Sequence, residues 1–430
     1  MRHPLILALA AFLIGAAAFA QPVRVSPVRQ TSPEPGASGA PLRDVAIWVG
    51  SADGGTDSLL LTAYDNANSG LFTFGLNGQQ VESEFDGPTL SVSLRDGFRL
   101  GNDTLSLAVT ANSVNGLSAY RVDGRRGTNK VERINTAPLV NNSTQFNSVA
   151  LYRSPSSGRF YVFAGNPSGS LLQFELSGED GGMSATLARD ALDVGGAITG
   201  LVVDEELGYV YVVQSGVAIW RYSAEPNGGT SRTEVASLTG TGRDLSGTVN
   251  RLALYRGANA QGYLLAADTS ANAFGVLDRR TYAFLGSFQV VAGDGGVIGA
   301  VESPLALAVA AQPMGSEFLD GLFVAQDSEN SNLQNLKLVG WDKVAQAFTP
   351  PLRIDTRPSQ GDGGTDGGSD AGSDGGGGGG GGPGPGIPGG GGFPEPDDGS
   401  GCSCATASVP GSVVLGLLAL GLSVRRRRER

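Results

Sequence analysis

The sequence predicts an all-β chain folded as a six-bladed β-propeller, and three observations carry that prediction. From residue 45 to about 341, runs of Val, Leu, Phe and Tyr alternate with Gly, Asn, Asp and Ser, the mark of short strands joined by turns. Stretches with a 3.6-residue period are hard to find, apart from a short helix expected over residues 342–346. A unit of strand, polar tip and strand recurs six times, about every 45 to 60 residues, the period of propeller blades.

In chain order the six units pair residues 58–62 with 70–74, 105–109 with 117–120, 160–164 with 171–174, 210–213 with 217–220, 263–266 with 273–276, and 322–325 with 336–339. Each pair is rich in Leu, Val, Phe and Tyr, so both faces of its sheet need cover. A single sheet cannot supply that cover, but sheets packed around an axis bury one another's faces. A β-helix or tandem β-sandwiches are the alternatives for the same strand density.

The flanks read differently. Residues 1–20 place Arg2 before an apolar core and end in Ala16-Ala17-Ala18-Phe19-Ala20, the layout of a cleavable secretory signal. An N-terminal anchor helix is the alternative, although the core falls short of the ~20 residues of a membrane span. Residues 21–41 are expected to be a flexible segment, residues 42–357 the propeller, and residues 358–400 a disordered Gly/Asp/Pro-rich tether too poor in apolar groups to fold. In residues 401–430, Gly401-Cys402-Ser403-Cys404 precedes a short apolar helix and the cluster Arg425-Arg426-Arg427-Arg428-Glu429-Arg430. Positive charge after an apolar segment holds that end in the cytoplasm. The order resembles the MYXO-CTERM type of sorting signal, which implies a membrane protease acting near Cys402 and Cys404. An ordinary transmembrane tail anchor is the alternative. The protein is therefore expected to be exported to the cell envelope or surface, or released after processing.

Composition narrows the chemistry. The formal net charge is −11, which argues against nucleic acid as a partner, because phosphate backbones need a basic face. The single histidine, His3, lies in the signal segment, so Ser-His-Asp and Cys-His catalysis and histidine-ligated metals are excluded from the mature domain. The two cysteines lie in the tail, with one residue between them, so a mutual disulfide would be strained. Only carboxylates, Lys, Arg, Tyr or oxygen-ligated ions are left for catalysis.

Several segments together resemble the β-propeller phytases. Asp44-Val45-Ala46-Ile47-Trp48 is similar to that family's opening Asp-Asp-Pro-Ala-Ile-Trp. Leu151-Tyr152-Arg153-Ser154-Pro155 and Ile219-Trp220-Arg221-Tyr222-Ser223-Ala224-Glu225-Pro226 resemble two inner segments, and Gly321-Leu322-Phe323-Val324-Ala325-Gln326-Asp327 a late one. Leu285-Gly286-Ser287-Phe288 and Lys337-Leu338-Val339-Gly340-Trp341 extend the match. The resemblance implies a calcium-dependent 3-phytase, a phosphoric monoester hydrolase of inositol hexakisphosphate. Its carboxylates would hold several Ca²⁺ ions at the channel mouth, and the ions would activate water and neutralise phosphate.

The matching positions have mostly lost that equipment. Residues 66–69, Asn112, Asn147, Pro167 or Ser168, Thr199, the trio Gln214-Ser215-Gly216, the stretch Thr248-Val249-Asn250-Arg251 and residues 301–304, with Glu302, stand where the family carries ligands and phosphate-binding groups. Asp44, Gln326 and Asp327 remain as metal-ligand candidates, with backbone-satisfying turn roles as the alternative. The expectation is a catalytically degenerate binding or scaffold module, whose partner is a small neutral or glycan ligand. The competing expectations are an active calcium-dependent phytase or phosphomonoesterase and a lactonase-like hydrolase.

Overall fold

A computed structural model describes residues 21–356, apart from 34–40, 115, 136–137, 141–144, 180 and 330–332. The chain divides into a unit spanning Met1–Asp366 and a second spanning Gly367–Arg430, and every described residue belongs to the first. The expected signal peptide, tether, cysteine motif and apolar tail lie outside the described residues.

Two short strands, β1 (Val23–Val25) and β2 (Arg29–Gln30), precede six sheets. Blade 1 is β3 (Leu42–Trp48), β4 (Leu59–Tyr64), β5 (Leu71–Gly75) and β6 (Gln80–Glu84), and blade 2 is β7 (Thr89–Leu100), β8 (Asp103–Asn112), β9 (Gly116–Val122) and β10 (Val131–Arg133). Blade 3 is β11 (Ser148–Arg153), β12 (Phe160–Gly165), β13 (Ser170–Ser177) and β14 (Ser184–Asp193), and blade 4 is β15 (Ile198–Asp204), β16 (Tyr209–Gln214), β17 (Ala218–Ser223) and β18 (Arg232–Ser237). Blade 5 is β19 (Val249–Arg256), β20 (Gly262–Asp268), β21 (Ala273–Asp278) and β22 (Phe284–Val290). Blade 6 is β23 (Leu307–Ala310), β24 (Leu322–Asp327) and β25 (Asn335–Gly340), followed by α1 (Trp341–Ala347). The chain is thus a six-bladed β-propeller, and the six strand pairs read from the sequence are the central pair of each blade.

The expectation of a flexible 21–41 segment is corrected by pairing over residues 23–30, while residues 34–40 lie outside the described residues. β2 forms the outer edge of blade 6, antiparallel to β25, and β1 adds a fifth, parallel strand to blade 5 beside β22. Strands of three and two residues leave no periodic signature, and docking on preformed edges holds them. Val25 is buried with Phe288 and Val290. Gln30 Oε1 accepts from Lys337 Nζ at 2.7 Å, and Leu336 N donates to Thr31 Oγ1 at 3.0 Å.

Six hydrophobic clusters fill the six junctions between blades. Successive strand residues point to opposite faces, so β4 feeds two of them. Leu60 packs toward blade 6, while Leu59 and Leu61 pack toward blade 2. The innermost strands β3, β7, β11, β15, β19 and β23 are neighbours in a ring. They enclose a channel of about 160 Å³ lined largely by Val, Leu and Ala. All begin at the same end, so the residues at or just before their starts form one mouth.

Candidate functional site: the channel mouth

A cleft of about 190 Å³ opens at this mouth and takes residues from all six blades: Arg43, Leu90, Asn147, Thr199, Asn250 with Arg251, and Leu305. The positions where the phytase resemblance expects ligands are therefore brought together in part. Asn147, Thr199 and Asn250 line the cleft, and Leu305 stands beside the 301–304 stretch.

The floor is an ion pair. Asp44 and Arg251 enter from β3 and β19, with side chains 10% and 11% exposed, and Arg251 Nε lies 3.3 Å from Asp44 Oδ2. Asp44 Oδ2 also accepts from Ser91 Oγ at 2.6 Å and Val92 N at 3.2 Å, and Oδ1 from Val45 N at 3.0 Å. Arg251 donates to Ser148 Oγ (3.1 Å), the Leu90 carbonyl (2.6 Å) and the Asn147 carbonyl (3.1 Å). One guanidinium from blade 5 thereby reaches blades 1, 2 and 3. Burial pushes the Asp44 carboxyl above the usual carboxylate range, against the pull of Arg251 and the hydrogen bonds. Burial likewise pulls the Arg251 guanidinium down, against the field of Asp44.

The other two metal candidates serve the framework. Gln326 Oε1 accepts from Leu305 N at 2.6 Å, and its Nε2 donates to Gln334 Oε1 at 3.1 Å. Gln334 Oε1 also accepts from Leu42 N at 2.6 Å, so this amide chain joins blade 6 to blade 1 behind the mouth. Asp327 Oδ1 accepts from Glu302 N and Glu329 N, and Oδ2 lies 3.3 Å from Lys337 Nζ. Lys337 is wholly buried, and burial pulls its pKa down. Asp44, Gln326 and Asp327 lie at the same end of the propeller, but each is bonded to its own neighbours.

Most of the other positions where the resemblance expects ligands make hydrogen bonds of their own. Asn112 is buried and holds the Asp86 carbonyl and Val114 N. Asn166 caps the turn containing Pro167 and Ser168, and Gln214 Oε1 accepts from Trp220 Nε1. Asn66 and Ser69 close their own turn. Asn250 Nδ2 donates to Thr269 Oγ1, which donates to the Pro304 carbonyl along the rim. Asn147 Oδ1 is buried with no donor among the described residues.

Calcium takes six to eight oxygen ligands and favours carboxylates, and the mouth does not fit it. Asp44 is the sole carboxylate among the described residues that line the mouth cleft and the channel. An ion beside it would meet a guanidinium. Among the described residues no group of three His, Cys, Asp or Glu is placed to hold a metal ion. Sequence reasoning registered Arg251 only as a replaced position and passed over Arg43. The available signal was an arginine directly before the apolar run Leu252-Ala253-Leu254, since a charge in an inner strand needs a partner.

The motifs that carry the resemblance lie mostly away from the mouth. Tyr152 OH and Ser154 Oγ donate to Glu225 at 2.7 and 2.8 Å, so the Leu-Tyr-x-Ser-Pro and Ala-Glu-Pro segments grip one another between blades 3 and 4.

A family model described as Phytase matches residues 3–359. The 3-phytase of Bacillus subtilis (strain 168) is 30% identical over 328 residues, covering 74% of this chain and 84% of that protein. Among solved structures, a chain in the crystal structure of BBS1N in complex with ARL6DN matches with TM-score 0.42 at 13% identity, covering 74% of this chain and 98% of that one. A chain of the nidogen/laminin complex matches with TM-score 0.37 at 13% identity, covering 58% and 80%. With the family model spanning most of the chain and the 3-phytase matched over most of its length, this chain belongs to the phytase family.

Proposed function

We propose that this phytase-family propeller is a binding or scaffold module that does not hydrolyse phosphate esters, carried outside the membrane by its terminal signals. One observation carries the proposal. Asp44, the sole carboxylate among the described residues that line the mouth cleft and the channel, lies 3.3 Å from the Arg251 guanidinium, where hydrolysis of a polyanion would need several carboxylates around cations. The rim supplies uncharged groups from Asn147, Thr199 and Asn250, and Asn147 Oδ1 lacks a donor among the described residues. Arg43 is already paired with Asp65 at 2.9 Å. Such a surface suits a neutral, hydroxyl-rich ligand such as a glycan.

Phosphate release from inositol hexakisphosphate in millimolar Ca²⁺, beside the Bacillus subtilis 3-phytase, tests the proposal. Background release is expected, and calcium-dependent turnover near that of the relative overturns it. Such turnover would establish the second reading, an active calcium-dependent 3-phytase or phosphomonoesterase, which the 30% identity favours. Export and tethering through a C-terminal sorting protease and the membrane are supported by residues 1–20 and 401–430. Mass spectrometry of the mature C-terminus checks them. A chain ending near Cys402 is expected, and an intact arginine tail would contradict processing.

A further inference from the structure

We infer that the guanidinium of Arg251 is this propeller's own cation at the channel mouth, carried on the chain in place of a divalent ion, so that folding does not depend on calcium. The inference deepens the non-hydrolytic reading and rests on it in one respect, that Asp44 is committed to Arg251 and not to metal.

Three features support it. The first is placement. Calcium binds oxygen at about 2.3–2.6 Å, and a guanidinium nitrogen 3.3 Å from Asp44 Oδ2 leaves no room for an ion on that side. The second is connectivity. An ion at a propeller mouth ties strands together by collecting oxygens, and Arg251 collects the same kind of atom. It hydrogen-bonds the Leu90 carbonyl of blade 2 and the Asn147 carbonyl and Ser148 hydroxyl of blade 3, and its Nε, which makes no hydrogen bond among the described residues, is held to the Asp44 carboxylate of blade 1 by charge. The planar fork with five donors suits this spread, whereas an ammonium would act as a point charge. The third is charge balance. Arg251 and Asp44 neutralise each other in a nearly dry site, and a further cation there would leave buried positive charge unpaired. The floor of the mouth is therefore closed, and ligand contacts are confined to the rim of Arg43, Asn147, Thr199 and Asn250.

Thermal unfolding of the full chain tests this, with EDTA, with millimolar Ca²⁺ and with neither. The midpoint is expected to be the same in all three, since a ligand stabilises only a state it binds. Arg251→Ala is expected to lower the midpoint by roughly 6–10 °C, the effect of stripping one partner from a buried pair. Arg251→Ala with Asp44→Asn should recover at least half of that loss. Arg43→Ala, whose pair with Asp65 lies at the exposed rim, should change it little. A wild-type midpoint raised by Ca²⁺ or lowered by EDTA overturns the inference, and this arm needs no variant to fold. An Arg251→Ala loss no greater than that of Arg43→Ala, or no recovery in the double variant, also overturns it. Phosphate release from the same samples separates the two readings. Turnover with no calcium effect on the midpoint defeats the proposed function alone, and a calcium-raised midpoint without turnover defeats this inference alone.

Discussion

The N-terminal strap offers the sharpest test of how the ring is closed. Lys337 lies on β25 of blade 6, and its side chain is wholly buried. Among the described residues, two groups reach its ammonium, Gln30 Oε1 at 2.7 Å and Asp327 Oδ2 at 3.3 Å. Gln30 is supplied by the strap, so Gln30→Ala removes the shorter contact and leaves a buried ammonium half satisfied. A hydrogen bond to a charged group contributes about 1.5–3 kcal/mol, and an orphaned buried donor pushes the loss toward the upper part of that range. Taking ~2.5 kcal/mol for a domain of this size gives a midpoint lower by about 4–5 °C. The assay is thermal unfolding followed by circular dichroism, checked against urea midpoints.

Two controls fix the interpretation. Arg29 sits one residue earlier on β2, but its pair with Glu317 is half exposed, so Arg29→Ala should leave the midpoint where it is. A chain beginning at residue 33 loses Gln30, the Thr31 bonds to β25 and the burial of Val25 together, so it must unfold earlier than Gln30→Ala. If Gln30→Ala unfolds with the wild type, or the truncated chain matches full length, the strap is not part of the closure and the reasoning fails.

Three further outcomes follow from buried polar groups. Arg279 and Asp204 are both fully buried and paired through two contacts of 2.6 Å between blades 5 and 4, so Arg279→Met should cost about 3–5 kcal/mol in urea unfolding, with part restored by adding Asp204→Asn. Glu225→Ala strips the acceptor from Tyr152, Ser154 and Ser156 and should cost about 2–3 kcal/mol, measured the same way. Burial raises the Tyr255 hydroxyl from 10.0 to about 12, and burial also raises Tyr152 and Tyr211, aided by Glu225 and Tyr282 respectively. A folded pKa above the unfolded value gives stability that is full below pH 10 and declines as the pH climbs toward 12. Urea midpoints should therefore fall across that window while phenolate absorbance lags behind that of free tyrosine, and a flat profile would contradict the burial argument.

The fold was legible where both faces of a strand are covered. β4, β12, β20 and β24 are buried at every position, so they read as unbroken apolar runs, and their partners completed the six units. Outer strands were not legible. β14 and β18 are largely exposed, and Ser, Thr, Arg and Glu in them resemble loop composition because only the inner neighbour constrains them. β1 and β2 were misread as a flexible segment for a related reason. Their place is set by unpaired edges of β22 and β25, far away in sequence, and three residues cannot advertise that. At the mouth, Asp44 was legible as a position, but its role was not, because its partner Arg251 arrives from another blade. Gln326 Oε1 takes the Leu305 N–H and Asp327 Oδ1 takes those of Glu302 and Glu329, while Gln326 Nε2 also reaches Ser328 and Gln334 and Asp327 Oδ2 lies beside Lys337 Nζ.

The division between retained and replaced residues that the proposed function implies follows from what each must satisfy. Tyr152, Ser154 and Glu225 answer to one another across a blade junction, and Phe323 and Ala325 pack into the cluster between blades 5 and 6. Changing one of these leaves a buried hydroxyl, carboxylate or cavity, at about 1–5 kcal/mol from a total stability of only ~5–15 kcal/mol. Ligands at an open mouth answer mainly to an ion and a substrate, and replacing them with Asn, Thr or Gln costs the fold little once the charge is balanced. Asp44 is the exception that shows the rule. Its carboxylate is bonded to Ser91, Val92 and Val45 and sits in a nearly dry site, so it needs a counter-cation whether or not any reaction occurs there. Arg251 supplies one from within the chain. Of the positions that line the mouth, the pair Asp44–Arg251 is therefore the one that framework stability alone would keep; Thr199 Oγ1 donates to the Val249 carbonyl and Asn250 Nδ2 to Thr269 Oγ1, and Asn147 Oδ1 has no donor among the described residues.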